Sequence, residues 1–215
     1  DLVVPWTFQV DTLSSVMMLV VTGVGSLIHI YAIGYMHGDI DEHIAKRNLD
    51  DEGALIYKRR RYSRFFTYFN LFLGSMLILI TGNSYLMIFV GWELVGLCSF
   101  LLIGFWFEDP EVASAGEDLG EEMAGRKVRR PTKGWLNSNA ASKAFIVNRV
   151  GDFGMLLAMF LIFWTFGSLQ FSEVFSQAEA MSLTTPVALG PLSFPLGGVV
   201  TAITLLLLLG ATGKS

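Results

Sequence analysis

Apart from Asp1, six charged side chains of this 215-residue chain stand inside or at the edge of long apolar stretches: Asp11, Glu93, Lys143, Arg149, Asp152 and Lys214. An ionisable side chain at the centre of a bilayer costs roughly 2.5–3.5 kcal/mol, so each needs a partner, an interface or a task. Glu93 is the sharpest case. It sits in G-W-E-L-V-G-L-C-S, about nine residues into an apolar run of roughly 24, and is too short to reach water from there. Two readings stand for it, a hydrogen-bonded structural acid and a proton site or ion-pair partner. Arg149 and Asp152 are three residues apart, so they share a helix face and either pair locally or tune a neighbouring proton site. Lys143 lies nearer an interface and can snorkel. His29, in L-I-H-I-Y, reads first as a packing histidine and second as a proton carrier. Lys214 closes G-A-T-G-K-S, which mimics a phosphate-binding loop, but position 208 is Leu where a glycine is required.

The elements that must hold these residues are helices in lipid. Hydrophobic residues make up 53% of the chain and charged ones 16%, against about 25% charged in soluble domains. A crossing helix needs roughly 20 mainly apolar residues. Five stretches qualify or nearly do, at about 12–36, 65–81, 84–107, 140–166 and 197–215. The predicted fold is all-α, a polytopic transmembrane helix bundle with five spans in one membrane domain. Only Gly82-Asn83 separates the second and third spans, which predicts an antiparallel hairpin. Asp11 reads as the cap of the first helix, Asn83 or Ser84 of the third and Asn139 of the fourth. Glycines within spans read as close-packing positions rather than sites. The one cysteine, Cys98, excludes an intramolecular disulfide framework and reads as a small buried filler. The absence of an initiator Met, and an end at Lys214-Ser215 inside an apolar run, predict a piece of a longer protein.

Orientation follows from the connections. Residues 37–64 hold seven Lys or Arg and residues 108–139 hold five, whereas 167–196 hold none. The positive-inside rule therefore predicts that 37–64 and 108–139 are loops facing the cytoplasm or its equivalent. Cysteines placed at Ser114 and Ser176 should then label from opposite sides. Both charged loops run acidic first and basic second, so each can fold on itself or meet anionic lipid. No nucleic-acid reading module accompanies the charge. His37, Asp39, Asp41 and His43 lack a closed ligand pattern, so no metal site is expected.

The chain resembles the subunit L family of NADH-quinone oxidoreductase, respiratory complex I, called subunit five in mitochondria. The resemblance rests on F-Q-V-D-T-L-S, V-T-G-V-G-S-L-I-H-I-Y-A, Y-S-R-F-F-T-Y-F-N-L-F, F-V-G-W-E-L-V-G-L-C-S-F-L-L-I-G-F-W, K-A-F-I-V-N-R-V-G-D-F-G and G-A-T-G-K-S, in the family's order. It implies an antiporter-like, proton-pumping subunit and places the chain at the family's third to seventh membrane helices. Glu93 and Lys214 match the family's mid-membrane glutamate–lysine pair, and Arg149 and Asp152 its charged pair on the next helix. Residues of about 39–61 and 111–138 look like insertions, expected as a cytoplasmic docking surface. The resemblance further implies flavin mononucleotide, iron–sulfur clusters and quinone in partner subunits, and no cofactor in this chain. Cys98 alone cannot hold a cluster, and no dinucleotide fingerprint is present. The implied partners are the other membrane and peripheral subunits and the lipid bilayer. The implied location is an energy-transducing membrane, bacterial plasma membrane first and mitochondrial inner membrane second. The alternative is a subunit of an Mrp-type sodium/proton antiporter or membrane-bound hydrogenase; a scaffold without transport is the third, and the buried charges weigh against it.

Overall fold

The computed structural model describes residues 6–111 and 132–214. Five of its helices are long and apolar enough to cross a membrane: α1 (Thr12–Arg47), α2 (Asp51–Thr81), α3 (Tyr85–Ile103), α4 (Lys133–Phe166) and α6 (Leu196–Lys214). The short helix α5 (Phe171–Ala180) and a hairpin of β1 (Pro186–Leu189) and β2 (Leu192–Pro195) fill the connection between α4 and α6. Local chemistry sets the helix starts. Asp11 accepts from the Ser14 amide at 2.7 Å and Ser14 Oγ accepts from the Asp11 amide at 2.8 Å, a reciprocal capping box. Those Ser14 bonds hold the Asp11 carboxyl below the usual carboxylate range. Ser84 caps α3 through the Met87 amide. The cap of α4 is Thr132, bonded to the Trp135 amide at 3.2 Å, and Asn139 lies within that helix. The cap of the fourth helix thus lies seven residues before the position expected for it, because the helix continues past the apolar run.

The same continuation replaces the predicted loop at 37–64. Those residues are helical except around Asn48–Asp50, where Asn48 takes the left-handed conformation (φ 48°) and Asp50 caps α2. At 1.5 Å per residue, α1 is about 54 Å long, well beyond a hydrocarbon core of about 30 Å. Apolar periodicity stops where lipid stops, but Ala, Leu, Lys and Arg keep the helix going in water. Acidic residues in the last third of α1 meet basic residues inside α2, with Lys58 bonded to Asp41 at 2.7 Å.

The described start of the α3–α4 connection, residues 104–111, packs onto this overhang and forms a cap. Met36, Ile40 and Phe105 make its dry centre, and Trp106 packs against it. The Trp106 indole donates to Asp39 at 3.0 Å and stacks on His43 at 3.8 Å. Arg61 pairs with Glu108, and Arg64 donates to the Phe105 carbonyl at 2.7 Å. Glu111 bridges Lys46 (2.9 Å) and Lys133 (3.0 Å). The charged stretches expected to serve partners therefore meet each other at these residues; Ser114, the expected labelling position, lies outside the described residues.

Two predictions follow from this arrangement. The Lys46 and Lys133 ammonium groups hold the Glu111 carboxyl below its ordinary range. A carboxyl lowered on folding stabilises fully above its unfolded value, about 4.3, and loses that contribution as pH falls through the lower folded value. Spin labels at Glu52 and Ser138 should hold one separation from pH 7 to 5 and spread only below about pH 4; spreading near pH 6 would contradict the Glu111 bridge. Cysteines at Glu52 in the overhang and Ser176 in α5 should label from opposite sides of the membrane. Same-side labelling would overturn the topology.

On the opposite side the short α2–α3 turn is tied to the N-terminal segment and to the α4–α6 connection. Phe8 bridges Gly82, Ser84 bridges Gln170, and the Tyr85 amide donates to the Leu169 carbonyl at 3.0 Å. Beneath them Ala158, Ile162, Phe166, Leu196, Val199 and Ile203 bury one another between α4 and α6. Outward apolar residues such as Leu19, Leu27 and Ile30 remain exposed for lipid.

Candidate functional site

Glu93 stands eight residues into α3, about 12 Å of helix from its first residue. Its carboxylate pairs with the Arg149 guanidinium of α4. That guanidinium also lies 3.7 Å from Asp152 Oδ2, one turn further along α4, and over the Phe145 ring at 4.5 Å. Arg149 is thus shared between an acid on its own helix and an acid on its neighbour. Asp152 is the most enclosed of the group, its side chain 7% exposed, and its Oδ1 accepts the Trp92 indole N–H at 2.7 Å. Trp92 carries a second charged contact. Its backbone carbonyl accepts from the Lys214 ammonium, whose Nζ lies 4.6 Å from the centre of the indole ring.

Backbone proximity makes the cluster possible. A Cβ on Gly151 would lie 2.9 Å from Gly213 Cα, so α4 and α6 touch through their backbones at that level. This contact sets the last turn of α6, with Lys214, beside the turn of α4 that carries Arg149 and Asp152. On α3, a Cβ on Gly96 would meet Lys214 Nζ at 3.3 Å, so the bare glycine leaves the lysine its route to the Trp92 carbonyl. α6 stays helical through Lys214, which leaves no strand-to-helix loop to cradle a phosphate at G-A-T-G-K-S.

Four of the six charged residues singled out from the sequence therefore share one cluster: two acids, Glu93 and Asp152, and two bases, Arg149 and Lys214. Their charges balance, which offsets much of the cost of holding them among apolar helices. The side chain in contact with Glu93 is Arg149, whereas the expected partner Lys214 engages Trp92. His29 is not part of the group. Its ring nitrogens lie 2.9 Å from the Gly25 carbonyl and 3.2 Å from Asn70 Oδ1, and its ring packs on Phe69, between α1 and α2. Cys98 is fully buried beside Ser75. Trp92 was missed in the sequence. The available signal was its place next to Glu93, since a buried indole N–H normally finds an acceptor.

Comparison with known proteins points the same way. Residues 1–46 match the model described as NADH-Ubiquinone oxidoreductase (complex I), chain 5 N-terminus. Residues 82–120 and 130–215 match that described as NADH:quinone oxidoreductase/Mrp antiporter, TM. The chain is 40% identical over 212 residues to NADH-quinone oxidoreductase subunit L of Mycobacterium tuberculosis, covering 99% of this chain and 24% of that protein. It is 37% identical over 216 residues to subunit L of Escherichia coli, covering 100% and 26%, respectively. NADH-ubiquinone oxidoreductase chain 5 of Allomyces macrogynus is 36% identical over 212 residues, covering 98% and 24%. The chain spans about a quarter of the length of these curated relatives. With more than half of its residues matched by one family model, the chain belongs to the transmembrane family of NADH:quinone oxidoreductases and Mrp antiporters.

Proposed function

We propose that this chain is part of a subunit L of NADH:quinone oxidoreductase and carries one of its proton-transfer centres. The observation that carries the reading is the balanced cluster of Glu93, Arg149, Asp152 and Lys214 within apolar helices. The named relatives support the parent complex. Oxidation of NADH and reduction of quinone, with their flavin and clusters, fall to partner subunits. This chain moves protons in an energy-transducing membrane.

Arg149 is the switching group in this account. While it sits on Glu93, that carboxylate is neutralised and holds no proton. Swinging toward Asp152 frees Glu93 to take the proton of Lys214, which then passes out of the cluster. At an effective dielectric constant near 20, two charges at 4 Å interact by about 4 kcal/mol and at 6 Å by about 2.8 kcal/mol. Moving one proton against about 100 mV costs roughly 2.3 kcal/mol. Small rearrangements within the cluster are therefore of the right size for the task.

Purification of the full-length parent protein with its bound neighbours tests the assignment. The complex should oxidise NADH with quinone and drive proton uptake into vesicles. Sodium/proton exchange with no NADH oxidation would move the chain to the antiporter branch of the family.

A further inference from the structure

We infer that Trp92 is a positioning residue that ties the charge state of Lys214 to the geometry of Asp152; this rests on the proton-transfer reading above. Three contacts converge on this one residue. The indole N–H holds Asp152 Oδ1 at 2.7 Å, the backbone carbonyl accepts from Lys214, and Lys214 Nζ sits over the ring at 4.6 Å. The N–H does a specific job. By occupying Oδ1 it turns Oδ2 toward Arg149, which lies 3.7 Å away. That separation is long for an ion pair, so Trp92 is the close donor to Asp152 among the described residues. A bond from a neutral N–H to a charged, enclosed carboxylate is of the strong, charge-assisted kind.

The ring works at the other end of the same side chain. A cation over an indole face is attracted by the ring quadrupole, and the attraction vanishes when the amine is neutral. Gain or loss of the Lys214 proton therefore changes the force on the indole, and the rigid ring passes it to its N–H. Asp152 then presents Oδ2 to Arg149 either well or poorly, which sets how readily Arg149 leaves Glu93. A packing role alone leaves the N–H bond without purpose, since Phe would fill much of the same space.

The test uses the complete complex in vesicles and the variant Trp92→Phe, which keeps a ring over Lys214 and deletes the N–H. Proton uptake should fall about tenfold at normal assembly, the size of one hydrogen bond to a charged group. The infrared carboxylate stretch of Asp152, isolated by difference against Asp152→Asn, should move in Trp92→Phe. The double variant Trp92→Phe/Asp152→Asn should pump no more slowly than Asp152→Asn alone, because the two act in one chain. Wild-type pumping in Trp92→Phe, an unmoved Asp152 band, or independent multiplication of the two effects would each overturn the inference. Trp92→Met serves the same cycle if Trp92→Phe does not assemble. Glu93→Gln in the same vesicles separates the two ideas. Normal pumping there sinks the proton-transfer reading, whereas impaired Glu93→Gln with normal Trp92→Phe sinks the inference alone.

Discussion

Lys214→Ala is expected to reduce NADH-driven proton uptake by about 100-fold or more, the low end of what a proton-transfer group contributes. In the proposed mechanism the amine is the proton carrier of the cluster, and its partners do not replace it. Arg149 is engaged by Glu93 and Asp152, and Asp152 is held by the Trp92 N–H. Assembly should survive the change. The contact between α6 and α4 runs through Gly151 and Gly213 rather than through the lysine side chain. The Trp92 carbonyl, left by the ammonium, lies within α3, where its helical bond remains available. Quinone reduction should slow with pumping if the two are coupled, as measured by NADH oxidation in the same vesicles. Full pumping by assembled Lys214→Ala would remove the lysine from the mechanism.

Arg149→Leu should damage structure as well as function. It leaves Glu93 without its ion-pair partner and Asp152 without a neighbouring charge. Breaking a buried pair by removing one member typically costs about 3–5 kcal/mol. The Arg149 side chain is 42% exposed, so the lower end of that range is expected here. The yield of assembled complex and its apparent melting temperature should both drop. Adding Glu93→Gln to Arg149→Leu should recover assembly, because no carboxylate is then stranded at position 93. Pumping should stay low in the double variant. If Arg149→Leu assembles and melts like the parent, the Glu93–Arg149 pair contributes nothing to the fold.

The sequence carried the apolar lengths of the spans; α1 begins at the expected cap Asp11, and α3 at Ser84, one of the two caps expected for it. Spacing alone put Arg149 and Asp152 on one face, and they lie 3.7 Å apart. Three things were not legible. The helical overhang of α1 and α2 looks like loop in the sequence because apolar periodicity reports burial, and a helix in water held by ion pairs such as Lys58–Asp41 shows none. The partner of Glu93 depends on how α3, α4 and α6 are rotated about their axes. The backbone contact of Gly151 with Gly213, and the room Gly96 leaves for the Lys214 side chain, control that rotation, and no periodicity encodes which glycine meets which helix. Trp92 escaped for a related reason. Its N–H and its ring serve two different helices, and a motif on one helix cannot show that.

The most direct test of the central claim is the proton-to-electron ratio of reconstituted complex carrying Glu93→Gln, at normal assembly. Glutamine keeps the shape and some hydrogen bonding but neither binds the proton nor neutralises Arg149. The ratio should fall, with Glu93→Asp retaining part of it because the charge survives at shorter reach. An unchanged ratio in Glu93→Gln would make Glu93 a structural acid and contradict the account of this cluster as a proton-transfer centre.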